Sequence, residues 1–310
     1  MNTKTNIEWV KNPDGSQGYT WNPITGCLNH DNGLCKGGGF PCYAYKLANG
    51  RLKGAYLVNR DRAGRDRVVT DLMLADPFYP RFWAERLGDL PIATGILEID
   101  GAKSRRGIFV CAMGDLFGAG VPEEWTAKVL DRIKRSSMFH RFYLLTKQPG
   151  NLIKWSPFPE NCYVGVTVTN ADMYLPAMEA LDDIDAKVKY VSFEPLLENP
   201  SEFCEQWSED LGATLDWLII GACTGTLTQM KELFWTTDSD EVSVMPYGKK
   251  WTLQPKIEWV QEIVAAADKA GIPVFLKDNL APLIKWPDAG EWAFKPLSNR
   301  LRQEMPKGVK

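Results

Sequence analysis

The sequence predicts an α/β fold: an incomplete parallel, TIM-like barrel of the (β/α)6 type. Three observations carry that prediction. From residue 107 onward, short apolar runs rich in β-branched and aromatic residues alternate with helical stretches. Those runs are continuously apolar rather than alternating in polarity, the pattern of strands buried on both faces of a parallel sheet. Six or seven such runs are present, short of the eight that close a full barrel.

The first strand is expected at 18–21 (GYTW), directly ahead of a cysteine-rich loop at 21–45. The others follow at 107–112 (GIFVCA), 141–146 (RFYLLT), 162–168 (CYVGVTV), 188–193 (VKYVSF), 215–221 (LDWLIIG) and 272–277 (IPVFLK). A helix is expected at 122–135, where Pro122 and two glutamates suit a helix start and Trp125, Val129, Leu130 and Ile133 share one side. Residues 257–270 repeat the amphipathic pattern and should stop at Gly271. Repeated β–α units call for right-handed crossovers. Residues 49–106 and 224–256 fit the alternation poorly. The second stretch, polar and turn-rich, reads as an insertion or lid. No linker composition divides the chain, so 1–310 reads as a single domain.

Charge narrows the function. The chain has 310 residues, 36 Lys+Arg against 39 Asp+Glu and a net charge of −3, so it is not a globally basic nucleic-acid binder. The 46–67 segment is locally basic: Lys46, Arg51, Lys53, Arg60, Arg62, Arg65 and Arg67 are opposed only by Asp61 and Asp66. It reads either as a solvated helix face or as a track for phosphates. The longest apolar run, 217–223, is far too short to span a bilayer, so no membrane association is expected. The polar N-terminal stretch lacks the pattern of a signal peptide. With an odd total of seven cysteines, this predicts a cytoplasmic protein with reduced thiols.

Cys27, Cys35 and Cys42 lie in one glycine-rich stretch, with seven residues in the first gap and six (KGGGFP) in the second. The sequence around Cys27 and Cys35 reads as loop, and a helix-capable run begins at Cys42. Three soft thiolates on a flexible loop suit an iron–sulfur cluster or zinc. His30 would complete a Cys3His zinc set, although a short Cys-x(2–4)-Cys knuckle is absent. On the cysteines alone both metals stay open. If the group is a four-iron cluster, three thiolates leave one iron open to a ligand, the mark of a reactive centre.

In parallel α/β sheets ligands gather at the carboxyl ends of the strands. Polar residues follow each expected strand here: Asp115, then Lys147, then Thr167, Thr169 and Asn170, then Glu194 before Pro195, then Gly221 to Gly225 with Cys223, then Lys277, Asp278 and Asn279. Singly, Asp115, Asn170 or Asp278 would pass as helix caps. As a series on one rim, they form a candidate site.

The motifs resemble those of the radical S-adenosylmethionine superfamily, and most closely its phage-associated branch of unassigned function. The resemblance rests on WNPITGC at 21–27, CYA at 42–44, FYPRF at 78–82, MGDLF at 113–117, LLTK at 144–147, SFEPLL at 192–197 and DWLIIG at 216–221. It spans nearly the whole chain. Two features depart from the pattern. The superfamily spacing is Cys-x3-Cys-x2-Cys, whereas here both gaps are wider. The branch's Gly-Gly-Glu-Ser-Gly reads Gly221-Ala222-Cys223-Thr224-Gly225, without its carboxylate.

The resemblance implies a [4Fe–4S] cluster on Cys27, Cys35 and Cys42, with S-adenosylmethionine on the open iron. One-electron cleavage would then give a 5′-deoxyadenosyl radical that takes hydrogen from a substrate. It implies an electron donor such as flavodoxin or ferredoxin. Tyr43 would border the cluster or adenine, and Asp115 would meet the cofactor's amino group. Thr167, Thr169 and Asn170 would reach the ribose, while Gly221 would let the backbone approach adenine. Lys147, Glu194 and Lys277 would face the substrate. Cys223 is either a packing residue or a thiol donor of hydrogen. The substrate class expected is nucleic acid or a nucleotide-like molecule. The alternatives are a peptide or small metabolite under the same chemistry, or a zinc-stabilised nucleic-acid binder without catalysis.

Overall fold

The computed structural model describes residues 4–58, 75–90, 105–136, 138–199, 202–203, 207–237, 242–284 and 301–306. The chain forms two compact units, one of residues 1–35, 42–164 and 185–187 and one of residues 36–41, 165–184 and 188–310. This division was not legible as a linker, because the chain passes between the units several times.

The first unit contributes β1 (Tyr19–Trp21), β6 (Gly107–Val110) and β7 (Arg141–Thr146) to a sheet, and most of α/β alternation follows the expected order. β1 pairs in parallel with β6, Tyr19 opposite Ile108, and β6 pairs in parallel with β7, Gly107 opposite Arg141. Four short strands lie between β1 and β6: β2 (Ile24–Thr25) and β5 (Arg81–Phe82) pair antiparallel, and so do β3 (His30–Asp31) and β4 (Leu34–Cys35). Helices α1 (Tyr43–Asn49) and α2 (Lys53–Leu57) follow the cysteine stretch. Helix α3 (Glu123–Lys134) buries Trp125, Thr126, Val129 and Ile133 at helical spacing, with Pro122 as its N-cap. Trp125 stacks on Phe82 at 5.5 Å. The N-terminal segment is tied down by Trp9, whose ring meets Phe109 at 5.1 Å and Tyr143 at 5.6 Å. Rings of this size bury large apolar areas and account for much of the core.

β8 (Cys162–Thr167) begins in the first unit and ends in the second. The second unit adds β9 (Val188–Phe193), β10 (Trp217–Ile220) and β14 (Val274–Leu276), with α4 (Ala171–Asp183), α5 (Trp207–Thr214) and α7 (Ile257–Ala270) as crossovers. α7 ends at Gly271 in a left-handed conformation, as its sequence predicts. The sheet is seven-stranded and parallel, in the order β1-β6-β7-β8-β9-β10-β14. All seven strands lie within the runs expected from sequence.

The stretch expected as an insertion has regular structure of its own. β11 (Cys223–Gly225), β12 (Ser243–Tyr247) and β13 (Lys250–Gln254) form an antiparallel sheet in the order β11-β13-β12. Helix α6 (Leu227–Thr236) leaves β11 through a capping box, in which the Thr226 hydroxyl accepts from the Gln229 N–H and Gln229 Oε1 accepts from the Thr226 N–H. Among the described residues, no helix is long and apolar enough to cross a membrane.

Candidate functional site

The cysteine stretch is built from the main chain. The sequence reading treats 27–35 as loop, whereas the structure folds 30–35 as a two-residue hairpin. Asn32 and Gly33 at its tip have φ of 46° and 89°, as an Asn-Gly type I′ turn requires. A Cβ on Gly33 would also lie 2.4 Å from the Tyr45 ring. The signal was present in the Asn-Gly dipeptide but was hidden by the shortness of its strands.

Each cysteine is then held at its backbone. The Cys27 N–H donates to Phe78 O at 2.9 Å, and its Sγ accepts from the Asn29 N–H at 3.3 Å. Cys35 is buried and sits opposite His30 in the hairpin. The Cys42 N–H donates to Gly33 O at 2.8 Å, which ties the start of α1 to the hairpin tip. The Tyr43 hydroxyl donates to Ala112 O just beyond β6. Cys27 and Cys42 pack against the core formed by Ala44, Ala48, Tyr56, Phe78 and Trp83.

None of the three is in a disulfide. Burial pushes the Cys27 thiol up to about 12, and the charges of Asp115, Cys35 and Cys42 push it the same way. The Cys27 thiol therefore lies near enough to Cys35 and Cys42 to feel them. Among the described residues, no three His, Cys, Asp or Glu side chains are disposed to hold one metal ion. His30 is engaged as packing: its ring lies 4.8 Å from Tyr45 and 5.5 Å from Phe78, and Nδ1 accepts from the Gly33 N–H at 3.4 Å. The donor set is thus three soft thiols without the histidine. It fits a multi-iron group that takes each thiolate on a different iron better than it fits a Cys3His zinc.

Asp115 is buried beyond β6. Its Oδ2 accepts from the Thr146 hydroxyl at 2.9 Å and from the Lys147 N–H at 3.2 Å, and Oδ1 accepts from the Phe117 N–H at 3.0 Å. Burial raises its pKa, and these bonds oppose the rise. A carboxylate offers about four acceptor positions, so one is left. Gln148, which follows the same strand end and was given no role from the sequence, lies beside it: Oε1 accepts from the Ala119 N–H at 2.9 Å, while the buried Nε2 has no hydrogen-bond partner among the described residues.

The second unit carries the remaining strand-end residues. Thr167 and Thr169 are buried at the end of β8, and the Thr169 hydroxyl lies 3.0 Å from Gly37 O. Asn170 caps α4 by position only. It makes no side-chain cap bond, and its buried Oδ1 has no partner. Lys277 and Glu194 form an ion pair, and Glu194 also lies 3.5 Å from the Ser192 hydroxyl. Gly221 is needed for Lys277 to pass, since a Cβ there would come within 2.8 Å of Lys277 Cδ. Cys223 is buried in β11, opposite Leu253 of β13. Burial pushes its thiol up to about 12, with Glu194 adding to the rise and Lys277 opposing it.

Asn279 joins these parts. Its Nδ2 donates to Ala222 O at 2.7 Å, and its Oδ1 accepts from the Ala222 N–H at 3.2 Å. The Gln254 amide in turn donates to Asn279 O and to the Thr252 hydroxyl, both at 2.7 Å. Gln254 and Thr252 gave no sequence signal, because they belong to a sheet the alternation does not predict. Elsewhere on this unit, a cleft of about 540 Å³ lies among Lys231, Phe234, Trp235, Val242, Ser243 and Val244, and no predicted site residue lines it.

The basic 46–67 segment is described only as far as residue 58, so Arg60, Arg62, Arg65 and Arg67 lie outside the described residues.

The family model for a protein of unknown function, DUF5131, matches residues 4–245, and the chain belongs to that family. No curated protein and no solved structure matches it.

Proposed function

We propose that this DUF5131 chain is a radical S-adenosylmethionine enzyme on an incomplete (β/α)6-type barrel. The observation that carries the reading is the set Cys27, Cys35 and Cys42: three unbridged thiols on one stretch that the backbone fixes through a hairpin and a helix start. They would hold a [4Fe–4S] cluster. When bound together with S-adenosylmethionine, that group supplies one-electron cleavage of the sulfonium and a 5′-deoxyadenosyl radical.

The chain's own residues then bind, orient and exclude. Tyr43, anchored to Ala112, borders the cysteines at the start of α1. The remaining acceptor position of Asp115 suits a cationic amino group. Thr167 and Asn170 stand at the end of β8, where the Asn170 Oδ1 suits a hydroxyl donor such as a ribose. Gly221 gives the backbone room for a close neighbour. Lys277, held by Glu194, would face the substrate with a charged group that can orient it or move a proton. Lys147 adds positive charge after β7. Cys223 stays a neutral thiol under these surroundings, which suits packing or hydrogen-atom donation and does not suit nucleophilic attack.

The basic stretch 46–67 favours a nucleic-acid or nucleotide-like substrate over a peptide or metabolite. An external electron donor of the flavodoxin or ferredoxin class completes the scheme, acting in the cytoplasm. The test is anaerobic reconstitution with iron and sulfide, followed by S-adenosylmethionine and a strong reductant. Formation of 5′-deoxyadenosine and methionine is expected. A protein that binds zinc alone and cleaves nothing would support the alternative of a zinc-stabilised nucleic-acid binder.

A further inference from the structure

The gap between Cys35 and Cys42 is filled by Lys36, three glycines, Phe40 and Pro41. A run of three glycines has the widest conformational freedom a chain can have, and ordering it removes more entropy than ordering any other triplet. Yet the run is docked. The Thr169 hydroxyl carries a single proton and lies 3.0 Å from Gly37 O, with Met173 Sδ, a weaker acceptor, at 3.3 Å. Gly38 lies flat against the same side chain. Its φ is +107°, and a Cβ there would sit 2.4 Å from Thr169 Oγ1 and 3.3 Å from Leu197 Cδ1. Thr169 is in turn fixed by its own carbonyl, which accepts from the Leu197 N–H at 3.0 Å. Thr169 is fully buried, so its hydroxyl has no water to turn to.

We infer that Thr169 is a positioning residue for the cysteine loop, the post on which the widened Cys35–Cys42 segment is hung. The inference rests on the reading that these cysteines hold a cluster. The ends of the docked segment are Cys35 and Cys42 themselves, so restricting the segment restricts both thiols. A gap of six residues would otherwise let the third ligand wander relative to the second. The hydroxyl of Thr169 and the missing side chain of Gly38 act as one device: the first holds the loop, and the second lets it come close enough to be held.

The experiment compares the full-length wild type with Thr169→Val, Thr169→Ser and Gly38→Ala. Each is reconstituted anaerobically, challenged with a chelator, and examined by electron paramagnetic resonance after reduction. Cys35 and Cys42 are also alkylated in the iron-free proteins and mapped by mass, with melting temperature as the folding control. Thr169→Val should lose iron to the chelator faster, by about 10-fold if loosening the loop acts as loss of a ligand's outer partner does, and expose Cys35 and Cys42 to faster alkylation. Thr169→Ser should restore both readouts, and Gly38→Ala should match or exceed the valine variant. Wild-type retention and alkylation in Thr169→Val would overturn the inference. A raised KM for S-adenosylmethionine with unchanged retention would also overturn it, by making Thr169 a cofactor contact. If the wild type takes up no iron, the cluster reading fails, and alkylation of the iron-free proteins still decides whether Thr169 docks the loop.

Discussion

In the cysteine hairpin the main chain makes the bonds that fix the site. The Cys27 N–H is held by Phe78, the Cys42 N–H by Gly33, and the tip turns on Asn32 and Gly33. At the ends of β9, β10 and β14 the side chains do this work: Glu194 pairs with Lys277, and Asn279 clasps both backbone groups of Ala222. The first arrangement sets three unbridged thiols along one backbone-held stretch. The second compensates each charge and amide within the chain. On the proposed reading the thiols are kept for a group from outside the chain, whereas a site of matched partners is built to hold a shape. The two regions should therefore fail differently when altered.

The largest contrast is expected from the cysteines. Cys27→Ala, Cys35→Ala and Cys42→Ala should each abolish iron retention and 5′-deoxyadenosine formation, whatever packing stability they also lose. Cys162→Ala, in a buried strand, should do the reverse: it keeps the chemistry and loses about 1–2 kcal/mol of stability through the space left behind. Cys204, expected from sequence not to be needed for the chemistry, lies outside the described residues. Iron analysis beside thermal melts separates the two classes, and a cysteine-loop variant that kept its iron would break the comparison.

The hairpin tip comes next. Gly33→Ala puts a side chain at φ of 89° and against the Tyr45 ring, a strain of about 1–3 kcal/mol. Because the Gly33 carbonyl also holds Cys42, iron loading should fall more than stability does. Chemical denaturation with parallel iron assays reads both, and equal losses would place the hairpin in the core rather than in the site.

The ion pair gives a smaller effect. The side chains of Lys277 and Glu194 are 13% and 29% exposed, so the pair is neither buried nor at the surface. Glu194→Gln or Lys277→Met alone should cost about 1–3 kcal/mol, between the surface and buried ranges. The double variant should cost clearly less than the sum, since the orphaned partner is then gone. Strict additivity in a denaturation cycle would show that the two charges do not depend on each other.

The smallest effect concerns Cys223. Its thiol is pushed up to about 12, so at pH 8 only about one molecule in ten thousand carries the thiolate. Native protein should resist iodoacetamide at Cys223 and react there once unfolded. The sign for stability follows from the raised value. The unfolded thiol ionises from about pH 8.5 and the folded one only near 12, so this group's contribution holds below pH 8.5 and is lost between there and 12. Rapid native alkylation would contradict the packing described for β11.

The seven parallel strands were legible because continuous apolar runs have few other uses in a chain of this composition. The helices at 123–134 and 257–270 were legible from their apolar spacing and end signals. The hairpin at 30–35 was missed, since a two-residue strand has no period to detect and only Asn32-Gly33 marked it. The sheet of β11, β12 and β13 was missed because its residues mix polar and apolar character, and read as an insertion. At the site, residue types that follow strands were found, but their engagements were not. The resemblance places Thr169 toward a ribose, and the bond from its hydroxyl to Gly37 O had no signal in the sequence. Gln148, Asn279 and Gln254 act through amides whose partners are distant in the chain, and no local pattern announces such pairs.

The most direct test of the central claim is the metal content of the full chain purified without oxygen. The account predicts a brown protein with about four irons and four sulfides per chain, with an electronic spectrum that bleaches on reduction and an electron paramagnetic resonance signal that shifts when S-adenosylmethionine is added. A colourless protein with one zinc per chain, unaltered by iron and sulfide under reducing conditions, would contradict it.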